Sequence, residues 1–316
     1  MKITKQSATI MPTLPHIEQI AEAAKVCYQQ DQMKGGPEAF IKRIIARKHW
    51  SVLEMAVVTV GITFKTRRAV LLFAATRSEF FKVTAIESDD GTDSIFVTAN
   101  MRSWIEWAQS HAAFQSGLAS PLMKEIAATV PAIDVMGLAA VPAELPPMSI
   151  HDSIAVLPRS MIIEQSSRSN LSKHLYVMVK FVTDRAIANQ ITRHRPCSFL
   201  QESQRFCRYS DERFGGEVEF IDPEMYYAPD STEYALWERH CSSSEGLYLK
   251  LLKDGAGPQA ARKVLPQSTK TELICYANIE QWQHIFKLRA DNKEAEVQIR
   301  DLMGPLKEQF QGRGWL

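Results

Sequence analysis

"KHLYVMVKFVTD", residues 173–184, has the pattern of a β-strand. Apolar side chains alternate along it at Leu175, Val177, Val179 and Phe181, which is the period of a strand with one buried face. The run "AVVTVGITF" at 56–64 is similarly rich in β-branched residues. We therefore predict that these two segments are strands of one sheet.

Helices are predicted on both sides of these strands along the chain. Helical patterns occur at 15–31, 38–49, 232–252, 257–265 and about 270–312. The predicted fold class is therefore α+β, with a central, mostly antiparallel sheet flanked by helices.

Residues 85–172 differ in composition from the segments around them, so we predict that 1–84 and 173–316 form one domain without them. After a helix predicted near 68–76 come an acidic turn, a short strand and a helix from about Asn100. A Pro- and Ala-rich run follows at 130–149. We interpret 85–172 as a largely helical insertion of unknown role.

One short echo occurs along the chain. "TANMRSWIEW" (98–107) and "YANIEQWQHI" (276–285) share an A-N-x-x-x-W core. A single echo is too little for a repeat architecture, so we favour two similar helix starts capped by Asn.

Composition excludes several classes of function. The chain has 37 basic and 36 acidic residues, so no global field attracts extended nucleic acid or an anionic membrane. No apolar run reaches the roughly 18 residues of a membrane helix, and the start lacks the apolar core of a signal peptide. The five cysteines form no CxxC pair. We expect a cytoplasmic protein with reduced thiols.

Common cofactor and metal motifs are absent from the sequence. No GxGxxG, GxxxxGK[ST] or HExxH occurs, and the eight histidines show no metal-ligand spacing. We therefore predict no Rossmann site, P-loop or metal site.

An anion site is predicted in "RHRPCSFLQESQR", residues 193–205. Arg193, Arg195 and Arg205 would repel one another if all faced solvent, and a guanidinium is well suited to phosphate oxygens. In an extended segment, Ser203 and Arg205 would face one phosphate together. A solvated charged loop is the alternative interpretation.

Two later arginines are further candidates. Arg262 lies just before a Leu-Pro helix stop, and Arg289 ends an apolar helix face formed by Trp282, Ile285, Phe286 and Leu288. The alternative for Arg289 is a side chain whose stem covers that apolar face.

The segment at 193–203 resembles the signature of flavin-dependent thymidylate synthases, in which arginine-histidine-arginine is followed by seven residues and a serine. Arg205 falls where that family continues with S-x-R. Other segments that resemble the family, in the same order, are "HWSVLE" (49–54), "DRAIANQITRHR" (184–195), "AARKVLP" (260–266) and "YANIEQWQHIFKLRA" (276–290).

The resemblance implies that 1–84 and 173–316 form a catalytic domain, and that the reaction is reductive methylation of dUMP at C5 to dTMP. The cofactor would be FAD, bound without a Rossmann motif, and the co-substrates would be methylenetetrahydrofolate and NADPH. The resemblance also implies a homotetramer with sites built from several subunits. These partners are small molecules, with no nucleic acid and no membrane.

By position, the resemblance also implies roles for single residues. Catalytic roles fall to Arg193, Ser203 and Arg289. Nucleotide binding falls to Gln190, Arg193, Ser203, Arg205, Arg262 and Arg289. Flavin binding falls to His49, Ser51, Arg193, His194, Arg195, Gln201, Asn278 and His284. For His49, Ser51 and Glu54, helix capping is the alternative.

The sequence departs from the family at several positions. Phe206 stands where the family has Tyr, Met55 where an E-H pair is common, Gln201 where many members have Glu, and Glu280 where an Arg is usual. Two alternatives are therefore kept. One is another C5 modification, such as hydroxymethylation, or a UMP or cytosine-nucleotide substrate. The other is a noncatalytic nucleotide- or RNA-binding module, since Arg, Phe and Tyr suit base stacking.

Cys197 has two interpretations. It follows Pro196 and has two arginines nearby, which would favour a nucleophilic thiolate. The flavin family uses hydride delivery in place of covalent activation, so we predict a small packing residue.

Overall fold

The ten strands of the protein are divided among two four-stranded sheets and one short strand pair in the computed structural model, which describes residues 1–29, 33–64, 79–87, 93–109, 119–129, 151–166, 171–211 and 215–316. The strands are β1 (Lys2–Thr4), β2 (Ser7–Ile10), β3 (Val57–Phe64), β4 (Lys82–Glu87), β5 (Asp93–Asn100), β6 (His151–Val156), β7 (Tyr176–Asp184), β8 (Ser198–Gln201), β9 (Glu219–Ile221) and β10 (Lys270–Asn278).

Helices flank both sheets, as the predicted α+β class requires. The α-helices are α1 (His16–Tyr28), α2 (Gly36–Ala46), α3 (Met101–Ala108), α4 (Ala119–Thr129), α5 (Arg159–Ser166), α6 (Arg185–Ile191), α7 (Thr232–Lys253), α8 (Pro258–Ala261), α9 (Ile279–Arg289) and α10 (Val297–Gly312). Short 3-10 helices precede β3 (Trp50–Met55) and β7 (Ser172–His174), and a third follows α8 (Arg262–Val264). Within the described ranges, no helix is long and apolar enough to cross a membrane.

Both large sheets are antiparallel throughout. The first sheet has the order β4–β5–β3–β6, and the second has the order β2–β7–β10–β8. The prediction that β3 and β7 share one sheet is therefore wrong. Alternation of apolar residues identifies a strand and its buried face, but it does not identify the partner strand.

The second sheet is buried on both faces. Val177, Val179 and Phe181 of β7 belong to a core that includes residues of α9 and α10, whereas Met178 and Tyr276 pack into the core of α1 and α2. β10 lies at the centre of this sheet, so the helix predicted from residue 270 is wrong over Lys270–Asn278. A short strand buried on both faces reads as a continuous apolar run, which periodicity does not separate from a helix.

The residues predicted as an insertion are part of the first sheet. β5 and β6 lie on either side of β3, and Ile95 and Val97 share a core with Val58 and Val60. The described part of 85–172 therefore contains two complete strands as well as helices. The predicted boundaries of the insertion stay predictions, and the helix predicted near 68–76 and the run at 130–149 lie outside the described residues.

Asn side chains cap two helices, as the sequence echo predicted. The Asn100 side chain accepts a hydrogen bond from Ser103 N at the start of α3, and the Asn278 side chain accepts one from Gln281 N at the start of α9. Asp184 caps α6 in the same way, through Ile187 N. Each cap fixes the residue at which a helix begins after a strand. The caps at Asp184 and Asn278 therefore set the start of α6 and α9, the two helices that lead to the candidate site.

Candidate functional site

The carboxyl-terminal ends of α6 and α9 meet beside the second sheet. Arg289, the last residue of α9, donates from Nε to His194 Nε2 at 3.1 Å and from Nη1 to Gln190 Oε1 at 3.2 Å. The His284 ring, five residues earlier on α9, lies 6.3 Å from the His194 ring in an edge-to-face arrangement. Four predicted site residues thus form one group, which we name the arginine–histidine cluster (Gln190, His194, His284 and Arg289).

His194 is the buried member of this cluster. Burial and the neighbouring Arg289 and His284 lower its pKa to about 4, so the imidazole is neutral at physiological pH. Since Nε2 accepts from Arg289, the ring proton of the neutral form is on Nδ1. His194 therefore fixes the guanidinium of Arg289 without adding a second positive charge.

Two residues that sequence reasoning missed extend the cluster. Glu296 accepts hydrogen bonds from Gln190 Nε2 through one carboxylate oxygen and from the Tyr226 hydroxyl through the other. Burial, together with this bond to the Glu296 carboxylate, raises the pKa of Tyr226. Neither residue stands in a motif, because each is brought to Gln190 from a distant part of the chain, and no local signal marks it.

The arginines of the motif lie at the surface of the chain. Arg193, Arg195 and Arg205 are all exposed, so the prediction that mutual repulsion keeps them from solvent is wrong. β8 lies between Arg205 and the other two along the chain. Exposed guanidinium groups remain available to an anionic ligand.

Ser203 opens a turn, so the extended segment predicted for Ser203 and Arg205 is wrong. The Ser203 carbonyl accepts hydrogen bonds from the N–H groups of Phe206 and Cys207, both at 2.9 Å, while Ser203 N donates to Cys27 O. The Arg205 guanidinium lies 5.6 Å from the centre of the Phe206 ring. We name residues 203–207 the Ser203 turn.

The Ser203 turn is anchored by a buried carboxylate. Glu202 accepts from the Tyr209 hydroxyl at 2.7 Å and from Glu272 N at 3.2 Å, and Lys270 Nζ lies 3.5 Å away. Burial is the main cause that raises the pKa of Glu202, and it is opposed by Lys270. A buried, hydrogen-bonded group of this kind holds the backbone on either side of it in one arrangement.

The predicted flavin segment at 49–54 contacts the Ser203 turn. The His49 ring lies 6.3 Å from the Phe206 ring, and the 3-10 helix that follows His49 packs against β8. This helix has no side-chain cap, and Glu54 instead accepts from Arg102 at 2.9 Å. The capping alternative for this segment is therefore not supported by its hydrogen bonds.

Three further predicted residues have other surroundings. The amide of Asn278, besides capping α9, donates to Lys173 O at 2.9 Å and is buried. Gln201 donates to Thr271 Oγ1 at 3.3 Å. Arg262 begins the 3-10 helix that ends before Pro266, as predicted, and it is half-buried. Their ligand roles stay predictions.

Cys197 is 9% exposed and lies in the core of the second sheet. Its thiol contacts that of Cys275 on β10, and burial together with this contact raises the pKa of Cys275. The packing interpretation of Cys197 agrees with this position.

Comparison with known proteins identifies the family. Residues 12–71 and 159–313 match the thymidylate synthase complementing protein family, which is more than half of the chain. A flavin-dependent thymidylate synthase of Pyrococcus furiosus is 30% identical over 129 residues, covering 41% of this chain and 51% of the relative. The corresponding protein of Corynebacterium glutamicum is 31% identical over 132 residues, covering 37% and 50%.

A probable flavin-dependent thymidylate synthase of Paramecium bursaria Chlorella virus 1 is 30% identical over 143 residues, covering 43% of this chain and 66% of the relative. The chain thus spans about half to two thirds of the length of these relatives. The matched ranges contain the arginine–histidine cluster, the Ser203 turn and the segment at 49–54. The chain belongs to the thymidylate synthase complementing protein family.

Proposed function

We propose that this protein binds FAD and catalyses the reductive methylation of dUMP at C5 to dTMP. The one-carbon donor would be methylenetetrahydrofolate, and the reductant would be NADPH. The observation that carries the proposal is the arginine–histidine cluster, in which motif residues of a family member are joined by direct hydrogen bonds.

The donors around the cluster fit the anionic diphosphate of FAD. Arg193 and Arg195 are exposed on either side of the buried His194 in the sequence, and His284 is exposed five residues before Arg289 on α9. Gln281 Nε2, on the same helix as His284, is buried without a hydrogen-bond partner among the described residues. In the proposed reaction, bound FAD supplies the hydride.

The nucleotide phosphate is assigned to Arg205 and Arg262. The net charge of the chain is +1, so attraction of a dianionic phosphate depends on local guanidinium groups. Arg205 is exposed on a turn whose backbone is anchored by Glu202, which lowers the entropy lost when the phosphate binds. The hydroxyl of Ser203 would complete this phosphate site.

Arg289 would stabilise negative charge that develops on the pyrimidine as C5 becomes nucleophilic. The neutral His194 and the amide of Gln190 hold its guanidinium in place before substrate binds. A preorganised cation of this kind stabilises a transition state more than a mobile one does. No carboxylate forms an ion pair with Arg289 in the part of the chain that the structure describes.

The assembly and location implied by the resemblance are part of the same proposal. A homotetramer would bring the exposed arginines of one subunit to the surface of another, so that ligands are enclosed between subunits. The cytoplasm would supply NADPH and reduced folate.

The proposal is tested by the spectrum of the purified protein and by product analysis. We expect an oxidised flavin spectrum, and conversion of dUMP to dTMP only when methylenetetrahydrofolate and NADPH are both present. A colourless protein that does not take up added FAD would refute flavin dependence. A hydroxymethylated product, or turnover of UMP or a cytosine nucleotide alone, would replace the proposed reaction with the alternative C5 modification.

A further inference from the structure

The two four-stranded sheets have the same design. In the order β4–β5–β3–β6 and the order β8–β10–β7–β2, each strand of one sheet has a counterpart in the other. The registers also correspond. β3 pairs Val58 with Ala99 of β5, and β7 pairs Val177 with Ala277 of β10. The match therefore holds residue by residue.

Four backbone and side-chain contacts repeat at equivalent positions. Trp104 of α3 donates from Nε1 to Val58 O at 3.1 Å, and Trp282 of α9 donates from Nε1 to Val177 O at 3.1 Å. Another repeated pair joins Met101 N to Ala56 O and Ile279 N to Leu175 O, both at 2.9 Å. The remaining repeats are the Asn100 and Asn278 caps and the bonds from Leu157 N to Thr59 O and from Met11 N to Met178 O.

The first strand of each unit is exchanged. β2 comes before β3 in the sequence but pairs with β7, and β6 comes before β7 but pairs with β3. The chain therefore divides into two units, β2 to α4 and β6 to α10, whose strands in the large sheets follow one another in corresponding order and whose last strand is followed by two helices. The second unit differs in having one helix, α5, where the first has α1 and α2, and in carrying β9, α7 and α8 between β8 and β10. Each unit completes the sheet of the other.

The 3-10 helices also cross between the units. Trp50–Met55 of the first unit packs against β8 of the second. His174 of the second unit lies with its two ring nitrogens 2.7 Å from Thr84 Oγ1 on β4 and Thr98 Oγ1 on β5. Lys173 Nζ donates to Val83 O of the same sheet at 2.9 Å. The 3-10 helix of each unit therefore lies against the sheet of the other unit, at β8 in one case and at β4 in the other.

Apart from His49 and Ser51, the candidate site residues occur in the second unit. Counting from the equivalent caps Asn100 and Asn278, the position of His284 is occupied in the first unit by Glu106, which pairs with Arg102. The sequence between β3 and β4, residues 65–81, has no arginine-histidine-arginine. An acidic residue in place of the imidazole disfavours an anionic ligand.

We propose that the chain is an internal duplication of one sheet unit with exchanged strands, in which only the second unit is a ligand site. The first unit acts as a built-in partner, and its segment at 49–54 completes the site of the second unit within the same chain. The identity of the ligand rests on the proposed function, whereas the duplication and the contact within one chain do not.

Thiol crosslinking tests the contact within one chain without any ligand. In the full-length double variant His49→Cys/Phe206→Cys, a short bis-maleimide should join the two thiols inside one polypeptide. Denaturing electrophoresis and intact mass should then show a single crosslinked chain. The single variants His49→Cys and Phe206→Cys control for reaction with the five native cysteines. A covalent dimer, or no joining of the two positions, would overturn the proposal.

Flavin titration tests the single site with a matched pair of variants. We expect one FAD per chain, at least tenfold weaker FAD binding in His284→Ala, and unchanged binding in Glu106→Ala. Two FAD per chain, or a folded Glu106→Ala variant with weakened binding, would overturn the single-site assignment. If the parent binds no FAD, the proposed function fails, and the crosslinking result still decides whether the site is completed within the chain.

Discussion

Arg289 owes its position to two neutral partners, and this predicts what its replacement does. Lysine keeps the charge but loses the planar fork that reaches His194 Nε2 and Gln190 Oε1 together. We expect Arg289→Lys to lower turnover at least tenfold, about 1.4 kcal/mol of transition-state stabilisation, with flavin content retained. Lys287→Arg, on the exposed side of the same helix, is the control. Unchanged turnover in Arg289→Lys would remove Arg289 from the chemistry.

Arg205 and Arg262 are predicted to act through charge on the nucleotide phosphate. Charge-assisted hydrogen bonds contribute about 1.5 to 3 kcal/mol each, so either change to Ala should weaken dUMP binding by roughly ten- to more than hundredfold. Arg208→Ala removes another exposed arginine three residues after Arg205, one that pairs locally with Ser210, and should leave affinity unchanged. Equilibrium binding of dUMP measures all three. Equal affinities would place the phosphate elsewhere.

Cys197 is predicted to pack and not to react. Its buried thiol beside Cys275 leaves little room for substrate carbon. Cys197→Ala and Cys197→Ser should each keep methylation within about tenfold of the parent. If both variants fold and bind flavin but lose methylation by several orders of magnitude, Cys197 is the nucleophile.

Motifs in the sequence predicted four residues of the arginine–histidine cluster, but they did not predict the two residues that extend it. The predicted residues do come together, since two capped helices position them: α6 for Gln190 and, just past its end, His194, and α9 for His284 and Arg289. Tyr226 and Glu296 join them only through the tertiary fold, so spacing along the sequence carries no trace of them.

The Asn caps of α3 and α9 can be compared by measuring how much each one stabilises the protein. Asn100→Ala and Asn278→Ala should each lower the free energy of unfolding by about 1 kcal/mol, because each leaves a helix N–H without its acceptor. Asn278→Ala should cost more, since it also leaves Lys173 O without its donor. Urea denaturation measures the difference, with the exposed Asn189→Ala as the control. Equal losses would mean that the bond to Lys173 adds nothing.

The spacing of apolar residues predicted whether several segments are helices or strands, but it did not predict which strands pair with each other. The alternation along β7 and the helical spacing of α1 and α2 correspond to the elements that form. β10 was hidden because Leu273, Ile274 and Cys275 face two different cores and so present an unbroken apolar run. The exchange of β2 and β6 was hidden for a related reason, since nothing in a strand's own sequence states which sheet it joins.

At the scale of the whole molecule, the sequence echo underestimated the likeness between the two units. The A-N-x-x-x-W core is shared because the Asn caps a helix and the Trp bonds a strand carbonyl in both units. Positions that only fill the core tolerate exchange among apolar residues of similar volume, so the rest of the likeness survives in register and contacts more than in letters.

The contact between the two units at His174 predicts that the stability of the protein depends on pH. His174 is buried there against Thr84 and Thr98, and burial together with Lys173 and Lys82 lowers its pKa from 6.5 to about 4. Between these values the unfolded chain binds a proton at this position that the folded chain does not, so stability falls as pH falls from about 6.5 to about 4. The loss attributable to His174 is on the order of 2 kcal/mol by pH 4.5.

Urea denaturation at pH 7, 6 and 5 measures this dependence in the parent and in His174→Gln. We expect the variant to be less stable at pH 7, because glutamine does not reproduce both threonine contacts, but to lose less stability on acidification. His194 also has a pKa lowered to about 4, and the buried Glu202 has a raised pKa that acts in the opposite direction. Both remain in the variant, so the difference between the two slopes isolates His174. Parallel slopes would show that His174 takes up a proton as easily in the folded chain as in the unfolded one, and would remove it as the pH-sensitive contact between the units.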